Sequence, residues 1–323
     1  MFGALSHKTK QLFFLLIKTS IVICAIYFIY LKLTRNKHLK FETFTQVLLD
    51  HNVFSLQNIV VLLGLTAVNW YFEILKWQHL VAAIKSISFK EAGKQTLAAL
   101  TASLITPNRV GEYGFKAFYF RKTLAKKVML LTLLGNIAQM SITILFGVIG
   151  LYFLVLNHNI AIRYTQILQA LILGISTAIL IILLLKNIKI FQLESILHFI
   201  TEIPKKIPLK IMSFSLIRYL VFSFQFYILL IMFDVDVSYL NALIIISSMY
   251  LLASIIPSIA IFDVFVKGSI ALFLFGLIGV NTITVLSCVT LMWILNFVLP
   301  SILGGVYVLE FNTASLFDTN TKT

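Results

Sequence analysis

The sequence contains few charged residues, and acidic residues are the scarcest of them. Charged side chains make up 12% of the 323 residues, with 12 Asp and Glu against 26 Lys and Arg, whereas about a quarter of the residues in a soluble domain are charged. No stretch is long and polar enough to form a soluble domain with enzymatic chemistry of its own. We therefore predict that the protein is not an enzyme.

Residues that bind metals or form disulfides are also scarce. The two cysteines, Cys24 and Cys288, both lie in apolar runs, which excludes a disulfide framework. The six histidines are scattered and never have the spacing of a metal site. A phosphate-binding glycine loop and a nucleophile elbow are both missing from the sequence. These absences predict a protein without a metal or a cofactor.

Long apolar runs, by contrast, dominate the chain. Hydrophobic residues make up 60% of it, and a helix needs roughly 20 apolar residues to cross about 30 Å of hydrocarbon. The basic segment Met1–Lys10 precedes an apolar run without a small-residue cleavage site, so we interpret that run as a retained span and not as a signal peptide. The predicted transmembrane helices are about residues 11–33, 56–79, 128–156, 165–185, 211–233 and 284–309.

Basic residues in the connections between spans predict the orientation, because Lys and Arg are retained on the cytoplasmic side. The segment Lys76–Lys127 holds ten of them and Lys186–Lys210 holds five, and the predicted cytoplasmic total is eighteen against four on the other side. Both termini are therefore predicted to be cytoplasmic. The net charge of +14 follows from this topology and from attraction to anionic lipids, so we predict no nucleic-acid partner.

Two regions, about residues 91–123 and 239–280, do not fit as ordinary spans. In the first, the apolar leg Gln95–Ile105 is too short to cross a membrane and runs into a polar break. The second region has the same layout, with its polar break at Asp263 and Lys267. Both regions are predicted to be re-entrant helical hairpins that enter and leave the membrane on one side.

These two regions align without gaps at an offset of 151 residues. Five of the eighteen positions in Leu100–Ala117 are identical to their counterparts. The same offset carries the first three predicted spans onto the fourth, the fifth and, within a few residues, the sixth. Because each half crosses three times, the second half is predicted to be inverted. We therefore predict an all-α polytopic membrane protein of two inverted repeats, residues 1–157 and 158–323, each with three transmembrane helices and one re-entrant helical hairpin.

Each polar break carries an acid and, four residues later, a lysine, which is the order that favours an ion pair on a helix. One interpretation is mutual neutralisation, because a charge at membrane depth costs roughly 2.5–3.5 kcal/mol. The other is a cavity for an anionic lipid head group, with an arginine on the phosphate and a helix N-terminus offering N–H groups. The residues predicted for this head-group or translocation site are Pro107, Asn108, Arg109, Gly111, Glu112, Lys116, Pro257, Asp263 and Lys267.

Further polar residues have two interpretations each. A basic cluster after the first hairpin either contacts anionic lipids at the cytoplasmic mouth or only marks the cytoplasmic side. Its members are Arg121, Lys122, Lys126 and Lys127. Three polar residues within or at the ends of predicted spans either line a pathway or form hydrogen bonds between helices. They are Asn69, Glu73 and Arg218.

The run Pro107–Glu112, followed by Lys116 and the basic cluster, resembles the first hairpin motif of the membrane domain of lysylphosphatidylglycerol synthases and their stand-alone, flippase-like relatives. Asn69–Trp77 and Ser215–Asp234 resemble the second and fifth spans of that family. The resemblance implies a role in moving lipid head groups across the bacterial inner (plasma) membrane. Only a short polar tail follows the last span, so a stand-alone member without the C-terminal aminoacyl-transfer domain is expected.

The sequence departs from that family in its second hairpin. The bulky residues Ile259–Phe262 precede Asp263 where many members have a glycine-rich stretch, which predicts a differently shaped cavity. The predicted function is binding and translocation of an anionic phospholipid or polyprenol-linked lipid. The alternative is a non-transporting accessory subunit of a membrane-associated transferase that modifies lipids or assembles glycans. An intramembrane enzyme is disfavoured because no nucleophile and base, or metal ligands, can be placed together.

Overall fold

The structure is a computed structural model, and it describes residues 41–104, 106, 109–158, 198–199, 201–256 and 260–311 together with a few isolated positions before residue 28. For residues 41–43, 158 and 260–265 it describes only the backbone. The predicted spans at about 11–33 and 165–185 therefore lie outside the described residues, apart from those isolated positions. The same is true of Pro107, Asn108 and Pro257 and of the side chain of Asp263.

The described residues are helical almost throughout, and they contain no β-strand. The helices, numbered in chain order, are α1 Phe41–Asp50, α2 Leu56–Val81, α3 Phe89–Ser103, α4 Val110–Phe118, α5 Ala125–His158, α6 Lys206–Met232, α7 Tyr239–Ile255, α8 Ala260–Gly276, α9 Thr282–Trp293 and α10 Leu299–Glu310. A short 3-10 turn, Lys122–Leu124, leads into α5, and a π-helical turn, Ile294–Val298, joins α9 to α10.

Four helices in the described part of the chain are long and apolar enough to cross a membrane. They are Leu56–Val81, Lys122–Asn157, Lys206–Met232 and Thr282–Glu310. Their lengths of 26 to 36 residues exceed the roughly 20 residues that a transmembrane helix needs. They coincide with the spans predicted at about 56–79, 128–156, 211–233 and 284–309. The protein is thus an all-helical chain of membrane-protein type.

Two helix pairs, α3 with α4 and α7 with α8, occupy the regions predicted as hairpins. Helix α3 begins with a capping box in which the hydroxyl of Ser88 accepts from the N–H of Glu91 and the Glu91 carboxylate accepts from the N–H of Ser88. Helix α7 begins with Ser238 as its N-cap. At 1.5 Å per residue, the 15 residues of α3 extend about 22 Å and the 17 of α7 about 25 Å. Each is shorter than the roughly 30 Å hydrocarbon core.

Two closely packed pairs of helices join the first half of the chain to the second half. Helix α5 packs along α7, and α10 packs along α3. A Cβ at Gly304 would lie only 2.0 Å from the carbonyl oxygen of Leu97, and a Cβ at Gly147 would lie 2.4 Å from the Cβ of Leu251. Small residues permit this approach of helix backbones in membrane proteins. The last long helix of each half is therefore tied to the helix pair of the other half, while α2 and α6 pack against each other.

The segment Thr34–Ser55, expected to be a plain connection, contains the amphipathic helix α1. Its apolar residues Phe44 and Leu48 stand four apart on one face, and both are buried in the apolar core formed by α6, α7, α8 and α9. The physical reason is packing, because a helix this short is marginal alone and is stable once its apolar stripe is covered. The connection therefore packs against the large apolar core.

The last long helix is interrupted by the π-helical turn Ile294–Val298, which the sequence analysis did not predict. Pro300 has no N–H to donate to the carbonyl of Asn296, four residues earlier, so the regular helical bond is missing there. A helix with such a gap is free to widen by one residue, and turns of this kind occur frequently at functional sites. Both Asn296 and Phe297 lie in this turn.

Candidate functional site

A cavity of about 360 Å³ lies among helices α2 to α8 and the π-helical turn. Its charged lining consists of Glu73, Lys76, Arg109, Glu112, Arg218 and Lys267. Its amide and aromatic lining includes Asn69, Asn136, Gln139, Asn296, Trp70, Tyr219, Phe222, Tyr250 and Phe297. Charged and amide groups at this density are expensive in an apolar helical bundle, and they usually face a partner or a water-filled space.

Three charged side chains from two helices form what we call the Glu73 cluster, which comprises Glu73, Lys76 and Arg218. The Nζ of Lys76 lies 2.7 Å from Oε2 of Glu73, and both residues belong to α2. An N–H of Arg218, on α6, donates to the same carboxylate oxygen. Glu73 is only 8% exposed and Lys76 only 2%. The cluster therefore links the two central helices through a buried carboxylate with two cations.

The guanidinium of Arg218 is held on three sides. Besides Glu73, its Nη1 donates to Oε1 of Gln139 on α5 at 3.1 Å, and its Nε donates to Oδ1 of Asn69 on α2 at 3.1 Å. The sequence left two interpretations open for Asn69, Glu73 and Arg218. The structure shows hydrogen bonds between helices for all three, and it also places them in the lining of the cavity.

A second buried ion pair, the Glu112 pair, lies within α4. The Nζ of Lys116 is 2.8 Å from Oε1 of Glu112, as the four-residue spacing predicts, and the two residues are 2% and 8% exposed. Lys116 also lies over the ring of Trp77 on α2, with its Nζ 4.4 Å from the ring centroid. The indole N–H of Trp77 donates to Gln95 at 2.8 Å. The pair is therefore neutralised within one short helix and covered by an aromatic ring.

One cation from each helix pair lies against the same aromatic ring, that of Phe297. The guanidinium carbon of Arg109 lies 5.4 Å from its centroid, and the Nζ of Lys267 lies 5.5 Å from it. Cations at this distance from a ring face are attracted by its quadrupole. Arg109 directly precedes α4 and has a positive φ of 57°. Two of the predicted site residues, which are far apart in the chain, are thus brought to one side chain.

Gly111 lies at the start of α4, close to the end of α3. Its N–H donates to the hydroxyl of Thr106 at 2.8 Å, so this N–H at the start of α4 already has an acceptor within the chain. A Cβ at Gly111 would lie 2.6 Å from the carbonyl oxygen of Ala102. The N–H of Gly111 is therefore occupied by Thr106 in this structure, and the close approach of Gly111 to Ala102 joins α4 to α3.

The four basic residues predicted to contact anionic lipid lie between α4 and the first turns of α5, and all are exposed. They are Arg121, Lys122, Lys126 and Lys127. The Nζ of Lys127 lies 5.2 Å from the ring centroid of Phe199. This position at the end of a long apolar helix fits both interpretations given above, contact with lipid head groups and a topological signal.

Several residues of the site escaped the sequence analysis. Gln139 and Asn296 are amides inside otherwise apolar spans, a pattern that marks hydrogen bonding between membrane helices and that could have indicated them. Lys76 was counted among the basic residues that follow the second predicted span, although it is buried in α2. Among the described residues, no group of three His, Cys, Asp or Glu side chains could hold a metal ion.

No protein-family model, curated protein or solved structure matches the chain. The function therefore has to be argued from the cavity and from the charges that surround it.

Proposed function

We propose that this protein binds an anionic lipid head group in the central cavity and moves it across the membrane. The observation that carries the proposal is the excess of cations over carboxylates among the described side chains that line the cavity. Two lining carboxylates, Glu73 and Glu112, are accompanied there by three cations, Lys76, Arg109 and Arg218, and Glu112 is also paired with Lys116. Arg109 makes no ion pair with any side chain that the structure describes.

An anionic ligand would offset this imbalance. Positive charge inside a membrane protein costs free energy unless a counter-charge or water accompanies it. A guanidinium is planar and presents several N–H donors, so it suits a phosphate better than a compact ammonium does. The cavity of about 360 Å³ lies within the 300–1,000 Å³ range of small-molecule sites and is large enough for a phosphorylated head group. The acyl or polyprenyl chains of the lipid would remain in the bilayer.

The proposed translocator consists of two inverted repeats, and the helix bounds support this arrangement. Shifted by 151 residues, α2 falls at 207–232 beside Lys206–Met232 of α6, and α3 falls at 240–254 beside Tyr239–Ile255 of α7. The helix packing also agrees with this arrangement. Helix α5 of the first half contacts α7 of the second half. The helix that corresponds to α5 in the second half, α9 with α10, contacts α3 of the first half. Inverted repeats with broken helices at the substrate site are common among secondary transporters.

In this proposal the two helix pairs are re-entrant hairpins in the bacterial inner membrane, and both termini are cytoplasmic. The chain would be a stand-alone relative of the lysylphosphatidylglycerol synthase membrane domain, as the motif Pro107–Glu112 suggests. The Glu112 pair neutralises the first hairpin so that it can insert. Arg109 and Arg218 remain as the groups that contact the lipid phosphate.

A translocation assay tests the proposed function. The purified chain is reconstituted into vesicles that contain fluorescent phosphatidylglycerol, and the rate at which the label moves between leaflets is measured. Loss of one hydrogen bond to a charged group costs about 1.5–3 kcal/mol, so Arg109→Gln is expected to slow translocation at least about tenfold. Lys85→Gln is the matched control, because it makes the same charge change at an exposed position outside the cavity. Its rate should stay within about twofold of the native rate.

Two results would contradict this function. A native chain that moves lipid no faster than protein-free vesicles would rule out translocation and would favour the accessory-subunit alternative. Equal effects of Arg109→Gln and Lys85→Gln would rule out the cavity as the lipid site while leaving translocation itself intact.

The inverted repeat has its own test. Single cysteines are placed at Lys206 and Asp236 in a background that lacks Cys24 and Cys288, and they are labelled with a membrane-impermeant maleimide. The two positions flank α6, so the proposed topology requires labelling from opposite sides of the membrane. Labelling from one side only would exclude α6 as a spanning helix and would refute the inverted repeat.

A further inference from the structure

A chain of hydrogen bonds runs between the helices behind Arg218 and passes through the π-helical turn. Asn69 donates through Nδ2 to Oδ1 of Asn296 at 2.8 Å. Asn296 donates through Nδ2 to Oε1 of Gln225 at 2.9 Å. Gln225 in turn donates through Nε2 to the hydroxyl of Thr66 at 2.9 Å. Four polar side chains from α2, α6 and the π-helical turn thus extend the contact that Arg218 makes with Asn69.

The direction of this chain is the same at every step. Arg218 can only donate, so Asn69 must turn its oxygen toward Arg218 and its NH₂ group toward Asn296. Asn296 and Gln225 repeat that orientation, and the chain ends on Thr66, whose hydroxyl donates to the carbonyl of Leu62 at 3.0 Å. Each amide is therefore held in one orientation by the neighbour before it and the neighbour after it, as in cooperative side-chain networks.

Three members of this hydrogen-bond chain are buried. Asn69 is 2% exposed, Asn296 is 3% exposed and Gln225 is fully buried. Asn296 is further fixed because its Nδ2 also donates to the carbonyl of Met292 at 3.2 Å, one turn earlier in the same helix. Removing a buried partner leaves its neighbour unsatisfied, which makes the neighbour change its orientation or lose stability.

The guanidinium of Arg218, which this hydrogen-bond chain holds, has more N–H donors than its partners within the described structure use. Of its five N–H groups, the one on Nε donates to Asn69, and the two on Nη1 face Glu73 and Gln139. The two N–H groups on Nη2 donate to no other side chain or backbone group that the structure describes. The Arg218 side chain is 19% exposed and lines the cavity. A phosphate oxygen in the cavity is the natural acceptor for Nη2.

We infer that Asn296 is a positioning residue for anion binding, because it acts through Asn69 to hold Arg218 with its Nη2 group available to a phosphate. The inference rests on the proposed function, since it takes the lipid head group as the ligand of Arg218. It assigns a purpose to the π-helical turn, which places Asn296 between two polar residues of different helices. It also extends the site beyond the two hairpins to an amide of the π-helical turn that lines the same cavity.

A double-mutant cycle separates positioning from a general structural effect. Binding of a short-chain phosphatidic acid to the detergent-solubilised full chain is measured by calorimetry for the native protein, Asn296→Leu, Arg218→Gln and the double variant. Arg218→Gln is expected to weaken binding about tenfold. Asn296→Leu should weaken it about three- to tenfold, and in the Arg218→Gln background it should have no further effect beyond about twofold.

Ser287→Ala is the matched control. This buried hydroxyl lies in the same long helix but does not belong to the hydrogen-bond chain, and it has no hydrogen-bond partner in the described structure. It should leave binding within about twofold. Equal weakening by Asn296→Leu in both backgrounds would overturn the inference, and so would unchanged binding by Asn296→Leu alone. If Asn296→Leu does not yield folded protein, Asn296→Ser replaces it in the same cycle.

A ligand-free measurement separates failure of this inference from failure of the proposed function. The same four proteins are unfolded thermally in detergent without lipid. Losses in unfolding temperature that are clearly less than additive support the hydrogen-bond chain, whereas additive losses overturn it. If the native protein binds no phosphatidic acid, the proposed function is refuted. The thermal measurements alone would then test the hydrogen bonds between Asn296 and Arg218.

Discussion

The Glu73 cluster and the Glu112 pair each neutralise a buried carboxylate, but with different partners. Each contains a carboxylate that is 8% exposed, and each has a lysine of its own helix within 2.8 Å. The difference is the third partner. Glu73 also accepts from Arg218 on another helix, whereas Lys116 of the Glu112 pair lies against the ring of Trp77.

This difference separates a link between helices from a local neutralisation. The Glu73 cluster joins α2 and α6, and its arginine reaches Gln139 on α5 as well. Its loss should therefore loosen several helices together. The Glu112 pair cancels charge within the nine residues of α4, so its removal should matter less, and replacement of both its members should matter least. Two single substitutions and two double variants test this ordering, and a third single substitution at an exposed ion pair serves as the reference.

The largest effect is expected for Glu73→Leu. This change leaves Lys76 and Arg218 buried without a carboxylate, and breaking a buried pair by removing one partner costs about 3–5 kcal/mol. We expect the free energy of unfolding, measured by denaturation in mixed micelles, to fall by about that amount. A fall smaller than that caused by Glu112→Leu would reverse the comparison and would mean that the cluster is not a link between helices.

An intermediate effect is expected for Glu112→Leu. Only one cation, Lys116, then loses its carboxylate, and its contact with the ring of Trp77, about 0.5–2 kcal/mol, is retained. The free energy of unfolding should fall by about 2–3 kcal/mol. The double variant Glu112→Leu and Lys116→Met should recover most of this loss, because an apolar replacement of a whole buried pair is often neutral.

That recovery is the sharper part of the second prediction. The corresponding pair of changes at Glu73 and Lys76 should recover little, since Arg218 would remain unpaired. If the two double variants recover equally, the third cation has no structural importance.

The smallest effect is expected for Glu310→Gln at the end of α10. Its carboxylate is 57% exposed and lies 3.7 Å from Lys94, which is 39% exposed. Solvent screens such a pair, so the free energy of unfolding should change by less than about 1 kcal/mol. This variant measures how much of the Glu73 and Glu112 effects is due to charge change alone. A loss as large as that of Glu112→Leu would remove burial as the explanation.

The sequence predicted those features that depend on local spacing. The four described spans follow from runs of apolar residues, and the Glu112 pair follows from an acid and a lysine four apart on one helix. Helix α1 and the π-helical turn also have local causes, in the apolar pair Phe44 and Leu48 and in Pro300. They were missed because a short amphipathic segment and a proline near a helix end have several structural outcomes.

The partners of Arg218 have no such local signal. Its carboxylate partner Glu73 lies 145 residues away, and Asn69 and Asn296 are 227 residues apart. Apolar helices can pack in many rotations, and the sequence does not state which faces will meet. For the same reason the sequence left Asn69, Glu73 and Arg218 with two interpretations and did not indicate Phe297 as the ring shared by Arg109 and Lys267.

The sequence by itself determined that this chain is helical and of membrane type, because hydropathy and helix length act over one segment at a time. It also determined that charges interrupt the apolar pattern of two short regions. Only the tertiary structure decided which of those charges share a cavity and which side chains neutralise them. That choice depends on how α2, α5, α6 and the π-helical turn pack, and their contacts join residues that are far apart in the chain.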